Sequence, residues 1–178
     1  MEEIIKILES GTTQNKIEIL ETLCNTNDLK ILEQVISKLD DDDIQVRGEA
    51  FNALLLNKNK ISKILINNLS SSNKNIRGFT SLVLANRNEK SAIPEIIKLV
   101  EDEHGMVRSC AIGALGYLKA ENITNVILKS LLDSNLDVQK SAIQTAIQLD
   151  IIVSGKKIKE ISKNNDQQIN NLLLKLKK

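Results

Sequence analysis

Apolar residues along this chain recur at spacings of three and four, the period of one face of a helix, and do not fit the alternation of a half-buried strand. One set of stretches is short: Ile4, Ile5, Leu8; Leu32, Val35, Ile36, Leu39; Ile61, Leu65, Ile66, Leu69; Ile93, Ile96, Ile97, Val100; and Ile123, Ile127, Leu128, Leu131. A longer stretch follows each of them, and in these Val46, Ala50, Ala53 and Leu54 correspond to Val107, Ala111, Ala114 and Leu115. The alanine sites keep small side chains, which lets neighbouring helices approach closely.

The paired stretches repeat. DDDIQVRGEAFNALLLN, SSNKNIRGFTSLVLANR, DEHGMVRSCAIGALGYL and DSNLDVQKSAIQTAIQL align on Val46, Ile76, Val107 and Val138, at separations of 30, 31 and 31 residues. Stepping outward by the same interval reaches Asn15 and Ile169, in copies that keep the apolar rhythm with less detail, as terminal repeats with one face to water do. The spacing predicts helix pairs at 2–9 and 13–24, 28–39 and 43–56, 60–69 and 73–86, 91–101 and 104–118, 122–132 and 135–149, and 155–163 and 166–177. The residue three before each aligned position falls where it would cap the second helix of a pair. Thr12, Asp43, Asn73, Asn135 and Asp166 are strong N-cap formers at this place, and His104 is the exception. Pro94 sits in the first turn of its helix, where a missing amide hydrogen costs little. The least regular junction is IIVSGKK at 151–157. One helix pair cannot bury its stripe alone, so the chain is expected to be an all-α solenoid of about six stacked pairs. It forms a single domain over 1–178, with units at about 1–25, 28–57, 60–87, 91–119, 122–149 and 155–178 and second helices lining the inner face.

The acidic or Asn cap, the Val/Ile-Arg pairs at 46–47, 76–77 and 107–108, the small residues after them and the Ile93-Pro94 helix opening resemble HEAT-type repeats, in the short PBS-lyase-like variety. That resemblance implies a right-handed α-α superhelix. It also implies that Arg47, Arg77 and Arg108 join a ladder of hydrogen bonds to acidic or carbonyl partners between repeats, weakening toward both ends, where Lys16, Gln139 and Asn170 replace arginine.

Composition narrows the function. The net charge of +1 recommends neither nucleic acid nor an acidic substrate, but residues 1–43 carry a net −7 and residues 156–178 a net +5. The acidic first unit and basic last unit allow head-to-tail self-association. Cys24 and Cys110 lack metal-ligand spacing and read as small buried hydrophobes of a reducing compartment. The opening MEEIIKILES is acidic and amphipathic where a secretory signal is basic then apolar, and no apolar run spans a membrane, so a cytoplasmic protein is expected.

Candidate chemistry is sparse. His104 is the only histidine and no Ser or Cys motif accompanies it, so it reads as a turn residue. Asp40 to Asp43 form a solvated turn without EF-hand spacing. Gly48, Gly78, Gly113 and Gly116 lie inside helices, not in a phosphate-cradling loop. Counting round the second helices places Gly48, Gly78, Ser109, Asn52, Leu82 and Gly113 on the inner surface, edged by Phe79, Leu82 and Tyr117.

The reading is a non-catalytic protein-interaction scaffold, without cofactor or metal, that binds another protein on its concave face through Phe79, Leu82, Tyr117 and Asn52, with Arg47, Arg77 and Arg108 nearby. The alternatives are an accessory subunit of an enzyme, bilin-lyase-like, or weak nucleic-acid contact through Lys156, Lys157, Lys159, Lys175, Lys177 and Lys178. The cap assignment has a direct test by denaturant titration. Asp43→Ala and Asn73→Ala each lower stability by ~1 kcal/mol, and Lys58→Ala on an exposed site does much less; coincident midpoints would mean a wrong register.

Overall fold

Each stretch with helical period forms a helix in the computed structural model, which describes residues 1–164 and 166–176. Twelve α-helices and no strand occur among the described residues, grouped into two compact units, Met1–Arg87 and Asn88–Lys178. The first unit holds α1 (Glu2–Ser10), α2 (Thr13–Thr22), α3 (Leu29–Ser37), α4 (Ile44–Leu56), α5 (Ser62–Asn68) and α6 (Lys74–Asn86). The second holds α7 (Ile93–Lys98), α8 (Gly105–Tyr117), α9 (Thr124–Ser130), α10 (Leu136–Gln148), α11 (Gly155–Ile161) and α12 (Gln167–Leu173). The irregular stretch at 151–154 is non-helical, and Ser154 caps α11 by accepting from the Lys157 amide.

First helices of the pairs are short, and three of them tighten into 3-10 turns at Lys38–Asp40, Leu99–Glu101 and Ser162–Asn164. Such a turn satisfies carbonyls that a helix end leaves without an amide partner. Second helices carry the core. Val46, Val107 and Val138 are fully buried, and Ile76, aligned with them, is half-buried. Within the first unit α4 packs between α2 and α6; within the second, α10 packs on α8, α9 and α12. The small sites permit this approach: Ala50, Ala111 and Ala142 are wholly buried, and Thr80 takes the same place in α6. Its hydroxyl is buried with no hydrogen-bond partner among the described residues, a cost the alanine copies avoid.

The ends of the second helices are closed in two ways. After α8 and α10, Lys119 (φ 49°) and Asp150 (φ 55°) turn left-handed, and the amides of Ala120 and Ile151 reach back to the carbonyls of Leu115 (3.0 Å) and Ala146 (2.8 Å). After α4 the chain runs on extended at Asn57. There Arg87, from the end of α6, donates Nη1 to the carbonyls of Leu54 (3.0 Å) and Asn57, and Nη2 to that of Asn59 (3.2 Å). A guanidinium against the free carbonyls of a helix C-terminus also meets the negative end of the helix dipole.

The cysteines are half-buried, not enclosed as expected. Burial pushes the Cys110 thiol up to about 11, which leaves it neutral and a poor nucleophile near pH 7. No helix among the described residues is long and apolar enough to cross a membrane.

A lysine held left-handed is strained where glycine is not. Lys119→Gly is expected to raise stability by about 0.5–1 kcal/mol in a denaturant titration, with no gain from Glu121→Gly, whose backbone is not left-handed.

Candidate functional site

The inter-helix turns are built from a recurring polar set. Thr12 accepts from the Asn15 amide, Asp43 from Gln45, Asn73 from Asn75 and Ile76, Asn135 from Asp137 and Val138, and Asp166 from Ile169. His104 makes no cap bond with its side chain; its Nδ1 lies 3.4 Å from the Asp102 carboxylate. The arginine after each aligned position reaches back over the turn. Arg47 donates Nη1 to the carbonyls of Asp41 (2.7 Å) and Asp42 (3.1 Å), Arg77 to Ser71 (2.9 Å) and Ser72 (3.0 Å), and Arg108 to Asp102 (2.9 Å) and Glu103 (3.2 Å). Gln139 makes the equivalent bond to the Asp133 carbonyl at 2.6 Å.

A second edge of Arg108 links neighbouring repeats. Arg108 holds Asp133 with a fork, Nε to Oδ2 at 2.9 Å and Nη2 to Oδ1 at 2.7 Å. That hydrogen bond keeps the Asp133 carboxyl below the usual carboxylate range, against its partial desolvation. The ladder continues to the N-terminal end, where Lys16 pairs with Asp41 at 2.8 Å by a single bond in place of the fork. Its gap lies elsewhere. Asp41, Asp102 and Asp133 each stand five before an aligned residue, and at the corresponding place in the third copy stands Ser71. Ser71 Oγ accepts from the Asn73 amide (3.2 Å), as Asp133 Oδ1 does from Asn135 (2.8 Å), but brings no carboxylate to Arg47.

Arg47 borders an apolar hollow of about 330 Å3 in the first unit, lined by Ile44, Arg47, Gly48 and Phe51 of α4 and by Phe79 and Leu82 of α6. Ile44 is 72% exposed, and Phe51, Phe79 and Leu82 are half-buried. A Cβ at Gly48 would meet nothing within 4 Å, so close packing does not require glycine there, nor at Gly113. Gly116 is the opposite case: its Cβ would fall 2.7 Å from Thr145 Oγ1, where α8 and α10 touch.

Of the residues singled out from the sequence, the hollow brings together Arg47, Phe79 and Leu82. Asn52 is exposed just beyond it and donates to Glu49 at 3.4 Å. Arg77 is buried on its turn carbonyls. Arg108 and Tyr117 belong to the second unit, Arg108 engaged by Asp133 and Tyr117 56% exposed. Ile44 and Phe51 escaped the sequence reading. Ile44, Gly48 and Phe51 lie four and three apart, a second stripe on the face of the helix opposite the core stripe of Val46, Ala50 and Ala53, and that spacing was the available signal.

A larger depression of about 770 Å3 lies in the second unit, but Arg108, Lys129 and Lys157 in its wall are engaged by Asp133, Glu101 and the Leu128 carbonyl. Lys156, Lys159 and Lys175 are exposed; Lys177 and Lys178 lie outside the described residues.

Residues 62–148 match the family described as HEAT repeats. No curated protein matches the chain. Among solved structures it is similar to an engineered protein, at 15% identity and a TM-score of 0.57, over 98% of this chain and 93% of that one. It is also similar to a designed armadillo repeat protein in complex with the peptide (KR)4, at 15% identity and a TM-score of 0.52, over 97% and 96% of the two chains. A computationally designed armadillo repeat protein for modular peptide recognition gives 16% identity and a TM-score of 0.51, over 97% and 96%. At these identities the likeness is one of fold: a helical-repeat solenoid.

The Arg108–Asp133 pair has a pH signature. A carboxyl whose folded pKa is depressed contributes stability above its unfolded pKa and loses it as pH falls through the folded value. Asp133→Asn is expected to cost about 2 kcal/mol at pH 7, with the deficit narrowing below about pH 4. Denaturant midpoints at pH 7 and pH 3 read both; a deficit that is the same at the two values would remove the charge from the explanation.

Proposed function

We propose that this HEAT-type repeat protein is a non-catalytic binding scaffold that takes a segment of another protein into the α4–α6 hollow. One observation carries the reading: both phenylalanines of the chain, Phe51 and Phe79, stand with Leu82 and the largely exposed Ile44 around one surface hollow, when a core role alone would enclose them. Half-exposed apolar groups converging on a concavity are characteristic of interaction surface. The fold supports the same reading, since designed relatives of this architecture are peptide binders, one of them solved with a bound peptide. The chemistry of the surface also suits binding. Side chains suited to nucleophilic or acid-base work are not gathered there, and the groups that line it are apolar with one cation.

The test is selection of peptides on the full chain from a random eight-residue library, followed by binding to Gly48→Leu and Leu82→Lys. Leucine at position 48 fills the hollow from a site with open space around it and improves helix propensity, so the fold is retained. Losing an apolar anchor of about 2 kcal/mol corresponds to roughly 30-fold weaker binding. That loss, at unchanged melting temperature, is expected for both variants; retained affinity in folded variants would move the site elsewhere.

A further inference from the structure

The gap in the ladder gives the hollow a chemical preference. In the second unit Arg108 is satisfied on both edges, Nη1 by turn carbonyls and Nε with Nη2 by Asp133. Arg47 has the first edge filled in the same way, by the carbonyls of Asp41 and Asp42. Its Nε and Nη2 have no hydrogen-bond or ion-pair partner among the described residues, because Ser71 occupies the place of the acid. The nearby carboxylates are committed or turned away. Asp41 is paired with Lys16 at 2.8 Å, Asp43 caps α4 and accepts from Thr13 Oγ1 at 3.2 Å, and Asp40 accepts from the side-chain amides of Asn73 and Asn75. Asp42 is exposed, and its side chain forms no ion pair with Arg47 among the described residues. A half-buried guanidinium, fixed by two carbonyls and open on its forked edge, thus stands in the wall of an apolar hollow.

Resting on the binding reading above, we infer that the occupant of the α4–α6 hollow is a peptide segment carrying an apolar side chain beside a carboxylate. The apolar group enters among Ile44, Phe51, Phe79 and Leu82, and the carboxylate completes the rung at Arg47 that Asp133 completes for Arg108. The planar fork matches a carboxylate with two parallel hydrogen bonds, and its orientation is already set by the turn, so little freedom remains to be lost on binding. This preference is opposite in charge to the (KR)4 peptide held by the designed armadillo protein of similar fold.

The probes are three fluorescein-labelled pools of eight-residue peptides: Leu or Phe beside Glu, the same with Lys for Glu, and the same with Ser for the apolar residue. Fluorescence anisotropy on the full chain is expected to show the Glu pool binding at least tenfold tighter than either other pool. The decisive variant is Ser71→Asp, which installs the absent acid where Asp133 stands in its own repeat. It is expected to raise the melting temperature and weaken the Glu pool at least tenfold, because the fork is then occupied from within. Arg47→Lys, which keeps the charge and loses the fork, is expected to weaken the Glu pool severalfold in a folded protein. Equal or tighter binding of the Lys pool, or a folded Ser71→Asp with unchanged affinity for the Glu pool, would overturn the inference. If another pool binds instead and Gly48→Leu abolishes that binding, the hollow stands as a peptide site and the acidic preference falls. If Gly48→Leu leaves the affinity of every bound pool unchanged, the site reading falls as well.

Discussion

A helix whose apolar residues form one stripe can cover that stripe only with another element, and a pair of such helices still leaves an apolar face wet. This constraint organises both units. Within the first, α4 is covered from two sides by α2 and α6; within the second, α10 is covered by α8, α9 and α12. Valine or isoleucine at the aligned position and alanine four residues on recur because the shared core needs the same shape in each copy. Where a copy departs from that shape, the departure is local. Thr80 in the alanine place buries a hydroxyl with no hydrogen-bond partner among the described residues, and Gly116 lets α8 approach Thr145 more closely than a Cβ allows.

Apolar stacking alone does not fix the angle at which two helices of a pair meet. That is the work of the turn, where a side-chain cap satisfies amides at the start of the second helix and an arginine or glutamine from that same helix returns to the turn carbonyls. Bonds of similar length in four copies, from Arg47, Arg77, Arg108 and Gln139, show one device adapted to two side chains. The guanidinium has an edge to spare after making this bond. In one place an acid of the next repeat takes it up, and in another serine does not, so a single difference between Asp133 and Ser71 separates an internal ladder from an open fork beside a hollow.

The hollow itself arises from what the core does not need. Ile44, Gly48 and Phe51 occupy a face of α4 turned away from Val46 and Ala50, and the absent side chain at Gly48 leaves the space between that face and Phe79 unfilled. Glycine in a helix interior lowers stability by about 1 kcal/mol relative to alanine. Here that cost has no packing benefit, in contrast to Gly116. It is the kind of local inconsistency that accompanies a functional surface.

The sequence by itself determined the helical class, the repeat length, the pairing and the caps, because these depend on periodicity and on side chains acting within a few residues of their own position. Val46, Asp43 and Asn73 are legible for that reason. Tertiary structure decided what lies between repeats. Arg47, Arg77 and Arg108 look alike in the chain, yet their surroundings depend on residues about 25 positions onward, and only folding showed Asp133 against Arg108 and, among the described residues, no acid against Arg47. Phe51 and Ile44 were missed because a stripe on the face away from the core has no meaning until a neighbouring helix supplies Phe79 and Leu82 across from it. Local periodicity is a property of one segment, whereas a site formed by two helices depends on which atoms their packing leaves uncovered.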